Sequence, residues 1–376
     1  VEKIRLSVEA SGVDFGGIVG SGCHIDNAEP IAKRNSTKYS FCMLGGGFTM
    51  KIFVTGGSGF IGQRLVPRLT GEGHTVLGLA RSARAAELIE AAGGEAVMGD
   101  MSDMTPGGAP PRWPWVLNGC DAVIHAAARM EFWGTDAVFR RENLVPTVAL
   151  HKAAATAGVR RFIALSTAIV SIGTQRAPVV DENTDNGRPA IAYSRIKLAT
   201  EQAILSAYTP TMDTVVLRPP LVWGAGMTLL DELADAVRAG RWTWIDQGRH
   251  IMDFIHVDNV VAATELALTR GRPNGVYYIT DGTPMPIRDF MTQLFAALGA
   301  DAKRAPSVPL GVAAPVASVL EGGARLLRRP KAPLLTNWWV TCMGYDRSYD
   351  ITAARRELGY TPRVTLAQGL TEMTSA

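Results

Sequence analysis

The segment Val54-Thr55-Gly56-Gly57-Ser58-Gly59-Phe60-Ile61-Gly62 limits what this 376-residue chain can fold into more than any other stretch. An apolar run at 51–55 leads into it and a helix-period run at 60–71 leads out. Glycines at 56, 59 and 62 allow a tight strand-to-helix turn, let backbone approach a pyrophosphate, and let helix and strand pack closely. The helix N-terminus then presents unpaired N–H groups and a partial positive charge to phosphate. A dinucleotide is expected here, held by Gly56, Gly59, Phe60, Ile61 and Gly62; a glycine-rich turn without a ligand is the plainer reading.

The same alternation continues downstream. Strands are expected at 51–55, 75–80, 96–98, 122–125, 161–165 and 214–217, and helices at 60–71, 83–92, 145–157 and 193–208. Continuous apolar strands alternating with helices predict an α/β fold with a doubly wound parallel sheet. After residue 217 the pattern changes: Pro219, Pro220, Trp223, Trp242 and Trp244 cluster, and loops lengthen. A strand at 277–280 is expected to return to the main sheet. The expected division is a cofactor-binding part at 50–217 and about 250–282, with a smaller substrate-binding lobe at about 218–249 and 283–376. Residues 1–49, with a Gly45-Gly46-Gly47 run and no sustained period, read as a non-core extension.

Composition removes several function classes. With 38 basic against 35 acidic residues, nothing argues electrostatically for nucleic acid. Cys23, Cys42, Cys120 and Cys342 are scattered without metal spacing, so neither a metal site nor a disulfide framework is expected, and a reducing cytoplasmic setting is favoured. No stretch reaches the ~18 apolar residues of a membrane span.

Beyond the second strand an NAD-selective site commonly carries an acid for the ribose 2′-OH. Arg81 stands there instead, with Ser82 and Arg84 close by. A cation beside a hydroxyl suits a 2′-phosphate, so NADP is favoured, with NAD as the alternative. Asp100 after the third strand is expected at the adenine edge, and Ala126 and Ala127 after the fourth supply small residues beside the cofactor.

Tyr193-Ser194-Arg195-Ile196-Lys197 sets a phenol and an ammonium one helical turn apart on the same face. A free phenol titrates near ~10, and a nearby cation favours its phenolate. Such a phenol can give a proton to a carbonyl or take one from an alcohol. Tyr193 and Lys197 are therefore candidate catalytic residues that also touch the cofactor. The strand at 161–165 ends in Ser166-Thr167, and one of these hydroxyls is expected beside Tyr193, with Thr167 preferred. Asn143 is expected to anchor a water or a backbone group behind Lys197.

Taken together, Thr55-Gly56-Gly57-Ser58-Gly59-Phe60-Ile61-Gly62, Tyr193-x-x-x-Lys197, Leu217-Arg218-Pro219, His256-Val257-Asp258-Asn259 and the closing Asp350 to Pro362 segment resemble the extended short-chain dehydrogenase/reductase superfamily. The His125-Ala126-Ala127 turn followed by Trp133-Gly134 is most similar to its 3β-hydroxysteroid dehydrogenase/sterol dehydrogenase branch. The resemblance implies a Rossmann fold, a Ser/Thr–Tyr–Lys triad and a nicotinamide cofactor.

Nucleotide-sugar epimerases and dehydratases share that architecture, and a non-catalytic cofactor sensor is a third class. The sugar-nucleotide enzymes typically carry an arginine where this chain has Met252, although Arg249 is near enough in sequence to reach around. Together with the retained Tyr193/Lys197 pair, this favours an alcohol/ketone oxidoreductase acting on a hydrophobic, steroid-like small molecule. The apolar run 308–320, followed by Arg325, Arg328, Arg329, Lys331 and Trp338-Trp339, reads as pocket wall, membrane-contact face or ordinary core helix. A homodimer is compatible with all of this.

Overall fold

The computed structural model describes residues 49–375 apart from 105–110, 112, 208, 328, 330 and 334. The expectation for 1–49 therefore lies outside the described residues, save for Thr49.

Seven strands form one parallel sheet: β1 (Lys51–Thr55), β2 (Thr75–Ala80), β3 (Glu95–Met98), β4 (Ala122–His125), β5 (Arg161–Leu165), β6 (Asp213–Arg218) and β7 (Gly275–Tyr278). Their spatial order is β7-β6-β5-β4-β1-β2-β3. Residues of both pleat faces of β1, Ile52, Phe53 and Val54, are fully buried, because helices cover the sheet on both sides. The strand order reverses at β1, which pairs β2 on one edge and β4 on the other. Thr55 lies opposite both Leu79 and His125, so three strand ends open into one crevice at the switch point.

The crossover helices follow from local sequence. α1 (Gly62–Gly71) buries Leu65, Val66 and Leu69 on one stripe. α2 (Ala83–Ala91) is capped by Ser82, whose Oγ accepts the Ala85 N–H at 3.2 Å. α3 (Val145–Thr156) starts with Pro146 in its first turn, after a π-turn at Arg140–Leu144. α4 (Ala192–Ser206) turns Tyr193, Lys197 and Glu201 inward, each buried and each one turn beyond the last.

A second core stands beside the sheet and is aromatic rather than aliphatic. Trp223, Trp244, Phe254, Phe290 and Phe295 form its centre, with Phe254 and Phe290 stacked at 3.5 Å between centroids. It is enclosed by α5 (Thr228–Arg238), α7 (Ile287–Ala297), α8 (Leu310–Leu326) and α9 (Asn337–Met343), while α6 (Val257–Ala267) packs on the sheet. The C-terminal α10 (Leu366–Ser375) is tied to α1 by the ion pair of Glu372 with Arg64.

The expected strands stand where the sequence placed them, to within a residue or two. The run at 60–71 becomes helical only at Gly62, because Phe60 and Ile61 complete the turn. The strand expected at 277–280 is Gly275–Tyr278, and it does rejoin the main sheet, along β6.

Candidate functional site

A cavity of about 1040 Å³ runs from the strand ends of β1, β2 and β4 to the aromatic core. Its first half is walled largely by backbone. Gly56 has φ of +77°, and a Cβ there would sit 2.7 Å from the Ala127 nitrogen, so only glycine lets β1 turn against the β4 loop. A Cβ on Gly62 would meet the Gly56 oxygen at 2.1 Å, which fixes how closely α1 follows the turn. A Cβ on Gly59, by contrast, would approach only the Gly56 oxygen, at 3.3 Å, leaving this glycine bare toward the cavity. A bare turn at a helix N-terminus fits the pyrophosphate of a dinucleotide.

Phe60, Ile61, Arg81, Asp100, Ala126 and Ala127 also line this half. Of the three residues expected to form a cation-and-hydroxyl group, only Arg81 reaches the wall: Ser82 Oγ caps α2, and Arg84 pairs with Glu87 on the surface at 3.1 Å. The Asp100 carboxylate accepts the Ser102 N–H at 2.8 Å.

Behind this wall lies a hydrogen-bond chain that fixes its own proton positions. Thr147 Oγ1 donates to the Asn143 carbonyl at 2.6 Å, so it presents a lone pair to His125 Nε2 at 2.8 Å. The ring proton is therefore on Nε2, and Nδ1 accepts from Thr55 Oγ1 at 2.7 Å. The Ala127 N–H donates to Thr55 Oγ1 at 3.3 Å and closes the chain. Burial, reinforced by the Lys197 charge, pushes the imidazole down to about 3 and keeps it neutral.

At the middle of the cavity Tyr193, Lys197, Ser166 and Thr167 face the same space. The Lys197 ammonium donates to the Leu165 carbonyl at 2.8 Å. Ser166 Oγ donates to the Glu201 carboxylate, which also accepts from Arg218 Nη2 at 2.6 Å and Nε at 3.1 Å. Arg218 in turn donates to the Tyr278 hydroxyl oxygen at 3.1 Å. Ser166 is thus committed to Glu201, whereas Thr167 Oγ1 accepts the Ile169 N–H at 3.3 Å.

The expected lowering of the phenol by its ammonium neighbour is not what this geometry yields. Burial pushes the Tyr193 phenol up, while Lys197, turned to the Leu165 carbonyl, is pulled down to about 8 by burial against the opposing pull of Glu201. Asn143 is not brought to the cavity wall. Its carboxamide grips the backbone of Arg129, accepting from N–H at 2.8 Å and donating to C=O at 3.0 Å.

The second half is walled by side chains: Ile169, Met227, Trp242, Met252, Met291 and Trp338 are among them. Phe132 stacks on Trp338 at 5.5 Å. Arg249 does not reach around; it pairs with Asp246 at 3.1 Å and its side chain is 71% exposed. Of the three readings left open for 308–320, pocket wall is the one the cavity lining does not bear out. Among the described residues α8 contributes none to the wall, and Trp338 and Trp339 of α9 do so instead.

Sequence reasoning overlooked Glu201, His125 as a bonded residue, Thr147 and the role of Arg218. Glu201 had a legible signal, since it lies one further turn beyond Tyr193 and Lys197 on the same helix face. Thr147 had none, because it meets His125 only through the fold.

Comparison with known proteins agrees with this geometry. The pattern of the NAD dependent epimerase/dehydratase family matches residues 52–280. A 4-hydroxy-2-methyl-3-oxo-4-farnesyl-3,4-dihydroquinoline-1-oxide ketoreductase of Stigmatella aurantiaca is 36% identical over 87% of this chain and 96% of its own. A decarboxylating sterol-4-alpha-carboxylate 3-dehydrogenase of Dictyostelium discoideum is 27% identical over 86% and 99% respectively. Among solved structures, MoeE5 in complex with UDP-glucuronic acid and NAD shares the fold, with a TM-score of 0.65 at 23% identity, covering 86% of this chain and 98% of that one.

Proposed function

This chain belongs to the NAD dependent epimerase/dehydratase family and is an NAD(P)-dependent oxidoreductase, and from that premise we propose that it interconverts a secondary alcohol and a ketone on a hydrophobic, steroid-like small molecule. The observation that carries the reading is the division of the cavity: bare glycine backbone at one end, apolar side chains at the other, and Tyr193 with Lys197 at the join. The parts assigned to cofactor are 50–217 and about 250–282; the remainder from about 218 serves substrate.

Gly56, Gly59 and Gly62 with the start of α1 would hold the pyrophosphate, and Arg81 would meet a 2′-phosphate, which favours NADP over NAD. When bound, the nicotinamide supplies or accepts the hydride. Tyr193 gives its proton to the carbonyl oxygen in reduction and takes it back in oxidation. A phenol pushed up by burial stays protonated and neutral at ordinary pH, so it holds the proton it would give as an acid. Lys197, one helical turn from Tyr193 with its ammonium on the Leu165 carbonyl, would stabilise the phenolate left behind when that ammonium turns toward it. Thr167 orients the substrate oxygen, since Ser166 is held by Glu201. Met252 and its apolar neighbours exclude water and offer nothing to a diphosphate.

The test is a panel followed at the nicotinamide absorbance: 3β-hydroxysteroids, aryl and aliphatic ketones, and nucleotide sugars. Turnover of lipophilic alcohols or ketones is expected. Turnover of nucleotide sugars alone would overturn the reading.

A further inference from the structure

The outer face of α8 is apolar along its whole length. Val312, Val316, Val319 and Leu326 are exposed, the last two at 74% and 84%, and Leu320 and Leu327 flank them. At ~100° per residue these six positions fall within a stripe roughly 120° wide. Ala313, Ala317 and Ala324 pack inward on the neighbouring face. Between 310 and 324 the exposed positions are Gly, Val, Pro, Ser and Leu, without a charge. The hydroxyl of Ser318 is itself bonded, to the Ala314 carbonyl and to Asn337. Solvated helix faces carry charged residues, so a bare stripe of this size marks a contact surface.

We propose that this stripe rests on an anionic lipid bilayer, in its interfacial layer. The charge pattern selects that occupant. Arg329 and Lys331 are exposed at the C-terminal end of the stripe, next to Leu326 and Leu327. The one acid of α8, Glu321, is already engaged by Arg325 at 2.7 Å and by the Asn337 N–H at 2.9 Å. The same stripe of a second copy, its one acid already engaged, would offer those cations no free carboxylate, whereas a surface of lipid phosphates would meet them. No helix among the described residues is long and apolar enough to cross a membrane, so the contact is lateral.

The helix that carries the stripe is joined to the substrate half of the cavity through its other side and its C-terminal end. Arg325 lies 4.8 Å over the Trp133 ring, and Trp133 Nε1 donates to the Arg329 carbonyl at 3.2 Å. Phe132, next in sequence to Trp133, lines the cavity and stacks on Trp338. On the reading of a lipophilic substrate, the contact would hold the cavity close to the bilayer in which that substrate dissolves.

Vesicle sedimentation tests the contact without any catalysis. The chain is mixed with phosphatidylcholine vesicles containing 30% phosphatidylglycerol, and with pure phosphatidylcholine vesicles. Sedimentation with the anionic vesicles is expected, weakened at least tenfold by the double change Val319→Glu and Leu326→Glu, and severalfold by Arg329→Glu with Lys331→Glu. All of these side chains are exposed, so folding is preserved, as circular dichroism would check. Turnover of a water-soluble ketone should be unchanged in both variants, while reduction of a vesicle-borne ketone should fall. No sedimentation, or sedimentation unaffected by the variants, would overturn the proposal. So would a dimer in gel filtration that the Val319→Glu and Leu326→Glu change turns into a monomer, since a second copy would then be the occupant. Loss of turnover on every ketone in the unaltered chain would instead strike the functional reading.

Discussion

The two halves of the cavity are made in different ways. Around the glycine turn the wall is backbone from β1, β2 and β4, all drawn from a contiguous stretch of sequence, and its shape depends on atoms that are missing: the Cβ positions of Gly56, Gly59 and Gly62. Around Met252 the wall is side chains from strands, loops and α9, gathered from more than 200 residues of chain and supported by a separate aromatic core. The first half is specified by turn geometry and tolerates little change in shape. The second is specified by volume and polarity and can be retuned by single substitutions. Tyr193 and Lys197 stand where the two meet.

The largest effect is expected at that junction. Tyr193→Phe should lower turnover by roughly 10³-fold, because the proton donor is lost, with cofactor affinity by fluorescence titration nearly unchanged. Equal loss of both would mean that the phenol belongs to the cofactor wall rather than to the chemistry. Next comes the nucleotide half. Arg81→Asp should weaken NADPH by roughly 10–100-fold and NADH far less, through loss of a charge-assisted bond and gain of a repulsion. In the substrate half, Met252→Arg should raise KM for lipophilic ketones by roughly tenfold and leave cofactor affinity alone. A change in cofactor affinity there would break the division between halves.

The smallest effect is in the pH profile. Burial lowers Lys197 to about 8, so its ammonium is present below that value and lost above it. If the ammonium supports the phenolate as proposed, kcat should decline as pH rises through about 8. Glu201→Gln removes the charge that opposes this lowering and should move the decline to lower pH.

How much of this was legible in the sequence follows the same division. The sheet was readable because its central strands are buried on both faces and thus continuously apolar, and because Gly56 and Gly62 obey a steric rule local to a few residues. Tyr193 and Lys197 were readable because helix spacing alone puts them on one face. The substrate wall was not: Phe132, Met227 and Trp338 have no common period, and only folding brings them together. The run 308–320 stayed open among three readings for the same reason, since an apolar helix reads alike whether it faces a pocket or the outside. Asn143 was expected to anchor a water or a backbone group behind Lys197; its carboxamide does hold backbone, that of Arg129, an identity only the fold supplies.

The central claim is that a hydride and a proton reach a lipophilic carbonyl in this cavity, the proton from Tyr193. A single turnover with NADPH deuterated at its transferable position, in the presence of a lipophilic ketone, tests it most directly by mass spectrometry of the product. The account predicts a secondary alcohol carrying the deuterium from the unaltered chain and almost none from Tyr193→Phe. A product without deuterium, or equal labelling from both, would contradict it.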